Sequence, residues 1–332
     1  MDPGMIVYDE LLGWRLKPYW SGEHRHHDYR TQYQINRDGF RGEVASPNAD
    51  NIAIYGDSFS FGLGVADGET FTAVLNAKSN DVTLNYSVPG YSTDQELLSF
   101  KQTPLSTITD AIFVIYLGND IFDNMRAYPL QAAYGKPYFE LRQAEPEAGR
   151  LVLKNTPVPR TSKPAAAQKD SIAKIVLGDS VGSSGFAGWL SRLELSKRLG
   201  IFQQAGVTKI DFDGRFSEQL VLFTTLIEAA SAHAAANGVD FHVALLPGRS
   251  YVTMPLSLSA QYQEYFRQQI VASISEGNAS KRHDINILDL SQPLRRAASA
   301  SSVDLYFPHE GHLTAAGHNH VADELNRYLV RR

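Results

Sequence analysis

Four short strings in this chain hold the residue types that acyl transfer uses. Gly56-Asp57-Ser58 ends one apolar run, Ser87-Val-Pro-Gly90-Tyr91 follows a second, and Leu117-Gly118-Asn119-Asp120 follows a third. Phe307-Pro-His309-Glu310-Gly-His312 lies near the C-terminus. A serine hydroxyl is a weak nucleophile near neutral pH unless a base takes its proton and donors wait for the oxyanion it creates. Ser58 is read as that nucleophile. A backbone amide at Gly90 can approach an oxyanion closely because no side chain intervenes, and Asn119 offers a neutral carboxamide donor. Asp57 sits next to Ser58 on a tight turn, where neighbours rarely face each other, so it is expected to support the loop backbone.

The base must come from the tail, which holds His309, His312, His318 and His320. Val321, Leu325 and Leu329 mark a terminal helix, which places His318 and His320 in packing or capping roles. His312 precedes Leu313-Thr314, where Thr314 can cap that helix, and is preferred as base, with His309 as the alternative.

These strings need a scaffold that brings strand ends together. The apolar runs Ile52–Tyr55, Val82–Tyr86, Ala111–Leu117, Phe241–Leu246 and Ile285–Leu290 are bounded by Gly, Pro, Asn or Asp, as strands buried on both faces of a parallel sheet are. Between them, helices are expected over Glu69–Ala77, Gln95–Lys101, Glu218–Asn237 and Ser259–Ser275. The alternation predicts a three-layer α/β/α sandwich with a mainly parallel, about five-stranded flavodoxin-like sheet. In such sheets ligands sit beyond the carboxyl ends of the strands, where Ser58, Gly90 and Asn119 fall.

Residues 1–50 read as an extended segment packed on the core, and 51–332 as the main domain. A proline-rich insertion or lid over about 124–214 interrupts the alternation. Its Tyr128, Tyr134, Tyr138, Phe139 and Trp189 would line a cleft or fill a small core of their own. His24, His26 and His27 in the polar tract Gly22–Asp28 read as a solvated loop, and no metal site is assigned to them.

Composition narrows the function. The chain has 332 residues, 43% of them hydrophobic, enough for a large core. A net charge of -5, from 31 basic and 36 acidic residues, gives no basic stripe for a phosphate backbone, so nucleic acid is not expected as a partner. The absence of cysteine excludes disulfides and thiolate nucleophiles. No apolar run approaches bilayer length, so the chain reads as soluble, with its compartment open. Oligomeric state is equally open, and no cofactor is called for.

In its order of Ser58, Gly90, Asn119 and His312, the chain resembles the bacterial SGNH branch of the GDSL esterase/lipase superfamily over residues 51–123 and 285–325. The string Asn36-Arg-Asp-Gly39-Phe-Arg41-Gly42 resembles that family's lead-in. The resemblance implies that the Ser58 amide joins Gly90 and Asn119 in an oxyanion hole and that His312 is the base. It also implies an aspartate shortly before the histidine, whereas this chain has Glu310 there and Asp304 further back. Glutamate can hold the tautomer and stabilise the imidazolium, so Glu310 is the preferred acid. Asp304, or a Ser-His dyad oriented by a carbonyl, remains the alternative.

The expected activity is hydrolysis of short acyl, chiefly O-acetyl, esters through an acyl-enzyme, on a small ester or an acetylated glycan. A polysaccharide O-acetyltransferase would use the same site, and a non-catalytic carbohydrate-binding or scaffold protein would keep the fold alone. The glycine-rich turn Gly62-Leu-Gly64 lacks a nucleotide-loop spacing, and His309-Glu310-Gly-His312 lacks that of a zinc helix. Relatives with such a lead-in often follow a signal or anchor. An upstream apolar helix would therefore mark a periplasmic or extracellular domain.

Overall fold

The computed structural model describes residues 1–129, 134–142, 150–162, 164, 175–176, 210–300 and 302–331. Two antiparallel hairpins come first, β1 (Ile6–Asp9) with β2 (Gly13–Leu16) and β3 (Ser21–Arg25) with β4 (Arg30–Gln34). The central strands follow: β5 (Asn51–Gly56), β6 (Val82–Asn85) and β7 (Ile108–Tyr116). After a third hairpin, β8 (Tyr138–Leu141) with β9 (Leu151–Lys154), come β10 (Asp240–Leu246) and β11 (Asn286–Asp289).

The five central strands form one parallel sheet in the order β11-β10-β7-β5-β6. All five expected apolar runs are in it. Because successive side chains point to opposite faces, β5, β7 and β10 each feed two cores. Ile52, Ile54, Ile112, Val114, Ala244 and Leu246 pack with Phe71, Leu75, Leu294, Val321 and Leu325 of the helices Phe71–Asn76, Ser291–Ala300 and Ala315–Val330. Their alternates Ala53, Tyr55, Phe113, Ile115, Val243 and Leu245 pack with Leu97, Phe100, Leu226, Phe266 and Ile270 of the helices Thr93–Gln102, Ser217–Ala236 and Leu258–Ala279. Burial on both faces explains why Ile52–Tyr55 and Ala111–Leu117 are continuously apolar. A three-layer α/β/α sandwich results.

From β5 the chain first adds β6 on one side and then crosses to β7 on the other. Such a reversal marks the place, beyond the carboxyl ends of the strands, where open α/β sheets bind ligands. Gly56, Asn85 and Tyr116 end β5, β6 and β7, so the strings that follow them come together.

Within residues 1–50 the chain forms two hairpins. Thr31 and Tyr33 alternate with exposed neighbours on β4, the period of a half-buried strand. Trp14, Leu16, Trp20, Tyr33 and Ile35 share a core with Phe61 and Tyr91. Of the insertion aromatics, Phe139 is buried and Tyr134 exposed, whereas Trp189 lies outside the described residues. Among the described residues, no helix is long and apolar enough to cross a membrane.

Candidate active site

Ser58 opens a one-turn helix, Ser58–Phe61, immediately after β5. A Cβ on Gly56 would meet Ser60 Oγ at 2.5 Å and the Val114 carbonyl at 3.2 Å, so the sharp bend requires glycine there. Asp57 caps the helix by accepting the Phe59 N–H at 2.8 Å. Gly62, at φ +83°, closes it in the left-handed conformation. The carbonyls exposed by this turn are collected by Arg41, which is 1% exposed. Its guanidinium donates to the Phe61 carbonyl at 3.0 Å, Gly62 at 2.6 Å, Val65 at 2.7 Å and the Asp67 carboxylate at 2.7 Å. The faces of Tyr33 and Phe61 lie 4.4 and 5.0 Å from it.

His312 arrives on a different kind of support. The loop after Tyr306 turns so that the Phe307 N–H meets the His312 carbonyl at 2.8 Å and the Gly311 N–H meets the Phe307 carbonyl at 3.1 Å. Gly311 takes φ +91°, and Thr314 caps the following helix by accepting from Gly317 N–H. This turn sets His312 Nε2 2.6 Å from Ser58 Oγ. Glu310 curls back: Oε1 faces His312 Nδ1, and Oε2 accepts the His312 backbone N–H at 3.0 Å. The longer glutamate side chain makes both contacts from only two residues away. Each side chain of the pair is 14% exposed. Burial raises the Glu310 carboxyl, yet hydrogen bonding to His312 and the charge of that ring hold it below the usual carboxylate range.

The oxyanion candidates occupy the neighbouring strand ends. Gly90, at φ +84°, is the third residue of a turn closed by the Tyr91 N–H and the Val88 carbonyl, with Pro89 second. Trp14 braces that turn, donating from its indole to the Pro89 carbonyl at 3.1 Å, and its own carbonyl accepts from the Tyr91 hydroxyl at 2.5 Å. Asn119 is 7% exposed and begins the short helix Asp120–Asp123. Its carboxamide donates one bond to Asp123 at 3.1 Å.

The remaining tail groups lie elsewhere. His309 is 61% exposed and pairs with Asp28. Asp304 is exposed, and its carbonyl accepts from the Thr314 hydroxyl at 2.7 Å. His318 is buried against Phe71, whose N–H it accepts at 3.2 Å. Burial lowers it to about 3. The rival zinc grouping of His309, Glu310, His312 and His318 is thus divided among three surroundings. Asp57 is fully buried, which raises its carboxyl to about 6 against the opposing pull of His312 and backbone amides.

Several supporting contacts were not read from the sequence. Asp28 accepts the backbone N–H groups of His309 at 2.9 Å and Glu310 at 2.8 Å, anchoring the His312 loop to the β3–β4 turn. Phe59 stacks between Tyr116 and the His312 ring, with centroids 4.0 and 4.2 Å away. His24 is half-buried on β3, bonded to the Tyr33 hydroxyl at 3.0 Å, and therefore not part of a solvated loop. The Tyr33 hydroxyl in turn accepts the Gly64 N–H at 2.8 Å. Arg41 had a sequence signal in the Asn36–Gly42 string. Asp28 had none, because its partners lie 281 and 282 residues away.

Among solved structures, the chain is similar to a member of the lipolytic protein G-D-S-L family from Veillonella parvula DSM 2008. The two are 13% identical with a TM-score of 0.44, over 86% of this chain and 100% of that one. It is also similar to phospholipase A1 from Streptomyces albidoflavus NA297, at 14% identity and a TM-score of 0.43, over 84% of this chain and 99% of that one. No family model and no curated protein matches the sequence.

Proposed function

We propose that this chain is a serine ester hydrolase working through an acyl-enzyme, with Ser58 as nucleophile, His312 as base and Glu310 as the acid that orients it. The observation that carries the reading is the line from Ser58 Oγ to His312 Nε2, 2.6 Å, and on from Nδ1 to the Glu310 carboxylate, set just beyond the carboxyl end of β5. With Glu310 accepting from Nδ1–H, Nε2 carries the lone pair that takes the serine proton. The alkoxide attacks the ester carbonyl, and His312 then returns the proton to the departing alcohol. Water, activated by the same ring, releases the acid and frees Ser58.

The oxyanion is received by the Ser58 and Gly90 amides and the Asn119 carboxamide. The Val88–Tyr91 turn uses the Tyr91 amide for its own closure and leaves that of Gly90 for a ligand. Asp123 holds one N–H of Asn119, which fixes the direction of the second. Loss of one such donor lowers turnover on the order of a hundredfold or more.

The order of Ser58, Gly90, Asn119 and His312, shared with the SGNH family, supports short acyl esters, O-acetyl groups on carbohydrate included, as the substrate class. Acetyl release into water, compared with transfer to a sugar hydroxyl, separates hydrolase from transferase. The decisive experiment is fluorophosphonate labelling with turnover of aryl acetate and butyrate. Labelling is expected at Ser58, lost in Ser58→Ala and strongly weakened in His312→Ala. A folded wild-type protein that stays unlabelled overturns the reading.

A further inference from the structure

The turn between β3 and β4 places its histidines in three different situations. His24 faces inward to Tyr29 and Tyr33, and His26 Nδ1 accepts the Asp28 N–H at 3.3 Å within the turn. His27 instead lies edge-on to His309 from the far end of the chain, with ring centroids 4.5 Å apart and planes at 88°. Asp28 joins them, its Oδ1 2.5 Å from His309 Nδ1. One donor atom from each of His27, Asp28 and His309 lies within 4.8 Å of the others, and among the described residues no other group of three His, Asp or Glu side chains converges so.

We infer that His27, Asp28 and His309 bind one divalent transition-metal ion of the zinc and cobalt class, fastening the β3–β4 turn to the loop that carries His312. Two imidazoles and a carboxylate form a donor set that suits such ions, whereas magnesium and calcium favour oxygen ligands throughout. The carboxylate is oriented in advance, because Asp28 Oδ2 already accepts the N–H groups of His309 and Glu310. Its side chain is 3% exposed while that of His309 is 61% exposed, so one wall of the site is fixed and the other opens to water as further ligand. The 2.5 Å approach of Oδ1 to Nδ1 is the hydrogen-bonded form. An ion replacing the shared proton at bond lengths of about 2.0–2.2 Å requires only a small turn of the exposed His309 ring. His309 is three residues before His312, and Asp28 holds the Glu310 amide. The ion would therefore brace the base loop without touching Ser58.

The test uses the full chain and Co²⁺, read by visible ligand-field absorption, with Zn²⁺ as competitor. One equivalent of Co²⁺ is expected, displaced by one of Zn²⁺. His27→Ala and His309→Ala should each weaken binding by about tenfold or more, at least the effect of losing an outer partner, while His320→Ala, on the C-terminal helix, leaves it unchanged. Thermal unfolding without metal checks that the exposed-site variants fold. Added Zn²⁺ should raise the wild-type midpoint and leave that of the His27→Ala/His309→Ala double variant in place. Absence of stoichiometric Co²⁺ binding, or binding that survives in the double variant, overturns the inference. Neither readout needs turnover, so the ester reading is judged separately.

Discussion

The two halves of the site are held by opposite means. The Ser58 turn is locked from beneath by a buried cation, Arg41, and by glycines that fit under crowded side chains. The His312 loop lies at the surface and is steadied by a short turn, by Glu310 and by Asp28 from a distant hairpin. A nucleophile must meet fixed donors and gains from rigidity, while a base that swings between serine and leaving group needs a tether with some give. Damage to the first half should therefore register as lost stability, and damage to the second as lost turnover.

Glu310→Gln is the sharpest way to break this contrast. A carboxamide N–H offered to Nδ1 stabilises the wrong tautomer, and the corresponding change in a serine-protease triad lowers kcat roughly 10⁴-fold. A loss of that order with an unchanged denaturation midpoint is expected from steady-state kinetics and urea unfolding. A small kinetic loss would return the orienting role to Asp304 or to a dyad.

Arg41→Ala should do the reverse. It strands the carbonyls of Phe61, Gly62 and Val65 and removes the partner of Asp67. The expected cost is about 3–5 kcal/mol in urea unfolding, and Arg41→Lys should recover only part of it, since one ammonium cannot span the forked contacts.

A matched pair of glycine substitutions sharpens the comparison. Both Gly62 and Gly311 have positive φ, but a Cβ on Gly62 would meet the Thr70 methyl at 2.6 Å, while one on Gly311 meets nothing within 4 Å. Gly311→Ala should carry conformational strain alone, about 1 kcal/mol. Gly62→Ala should add a clash and cost about 2–4 kcal/mol. Equal midpoints would erase the distinction between crowded and open halves.

Near neutral pH the smallest effect is a slope. His318 is lowered from 6.5 to about 3 by burial, with Arg41 and His312 adding to the shift. Below pH 6.5 the unfolded chain takes up a proton that the folded chain refuses, so stability falls as pH drops from 6.5 toward about 3. His318→Gln should flatten this contribution, at most about 1.4 kcal/mol per pH unit, in unfolding measured across that window.

The sheet was legible because strands buried on both faces are mostly apolar, and the uninterrupted runs Ile52–Tyr55 and Ala111–Leu117 leave few alternatives. The site residues were nominated by their place after those runs. Glu310 was readable as a neighbour of His312, whereas its two-point contact depends on a turn made possible by Gly311. The N-terminal hairpins were obscured because β4 exposes every other residue and β3 buries only Glu23 among polar neighbours, so Gly22–Asp28 looks like a solvated tract. Asp28 and Phe59 gain their roles only from tertiary contact, which no local pattern carries.

The contact from Ser58 to His312 spans 254 residues, and this has a consequence for a chain still being made. At roughly 5–20 residues per second, the serine precedes its base by about 13–50 s of synthesis. Throughout that interval the nucleophile turn can form on Arg41, yet its hydroxyl has no proton acceptor. On the proposed roles, the nascent chain carries an unarmed serine, and reactivity arrives only once the segment that holds His312 has been made and has left the ribosome.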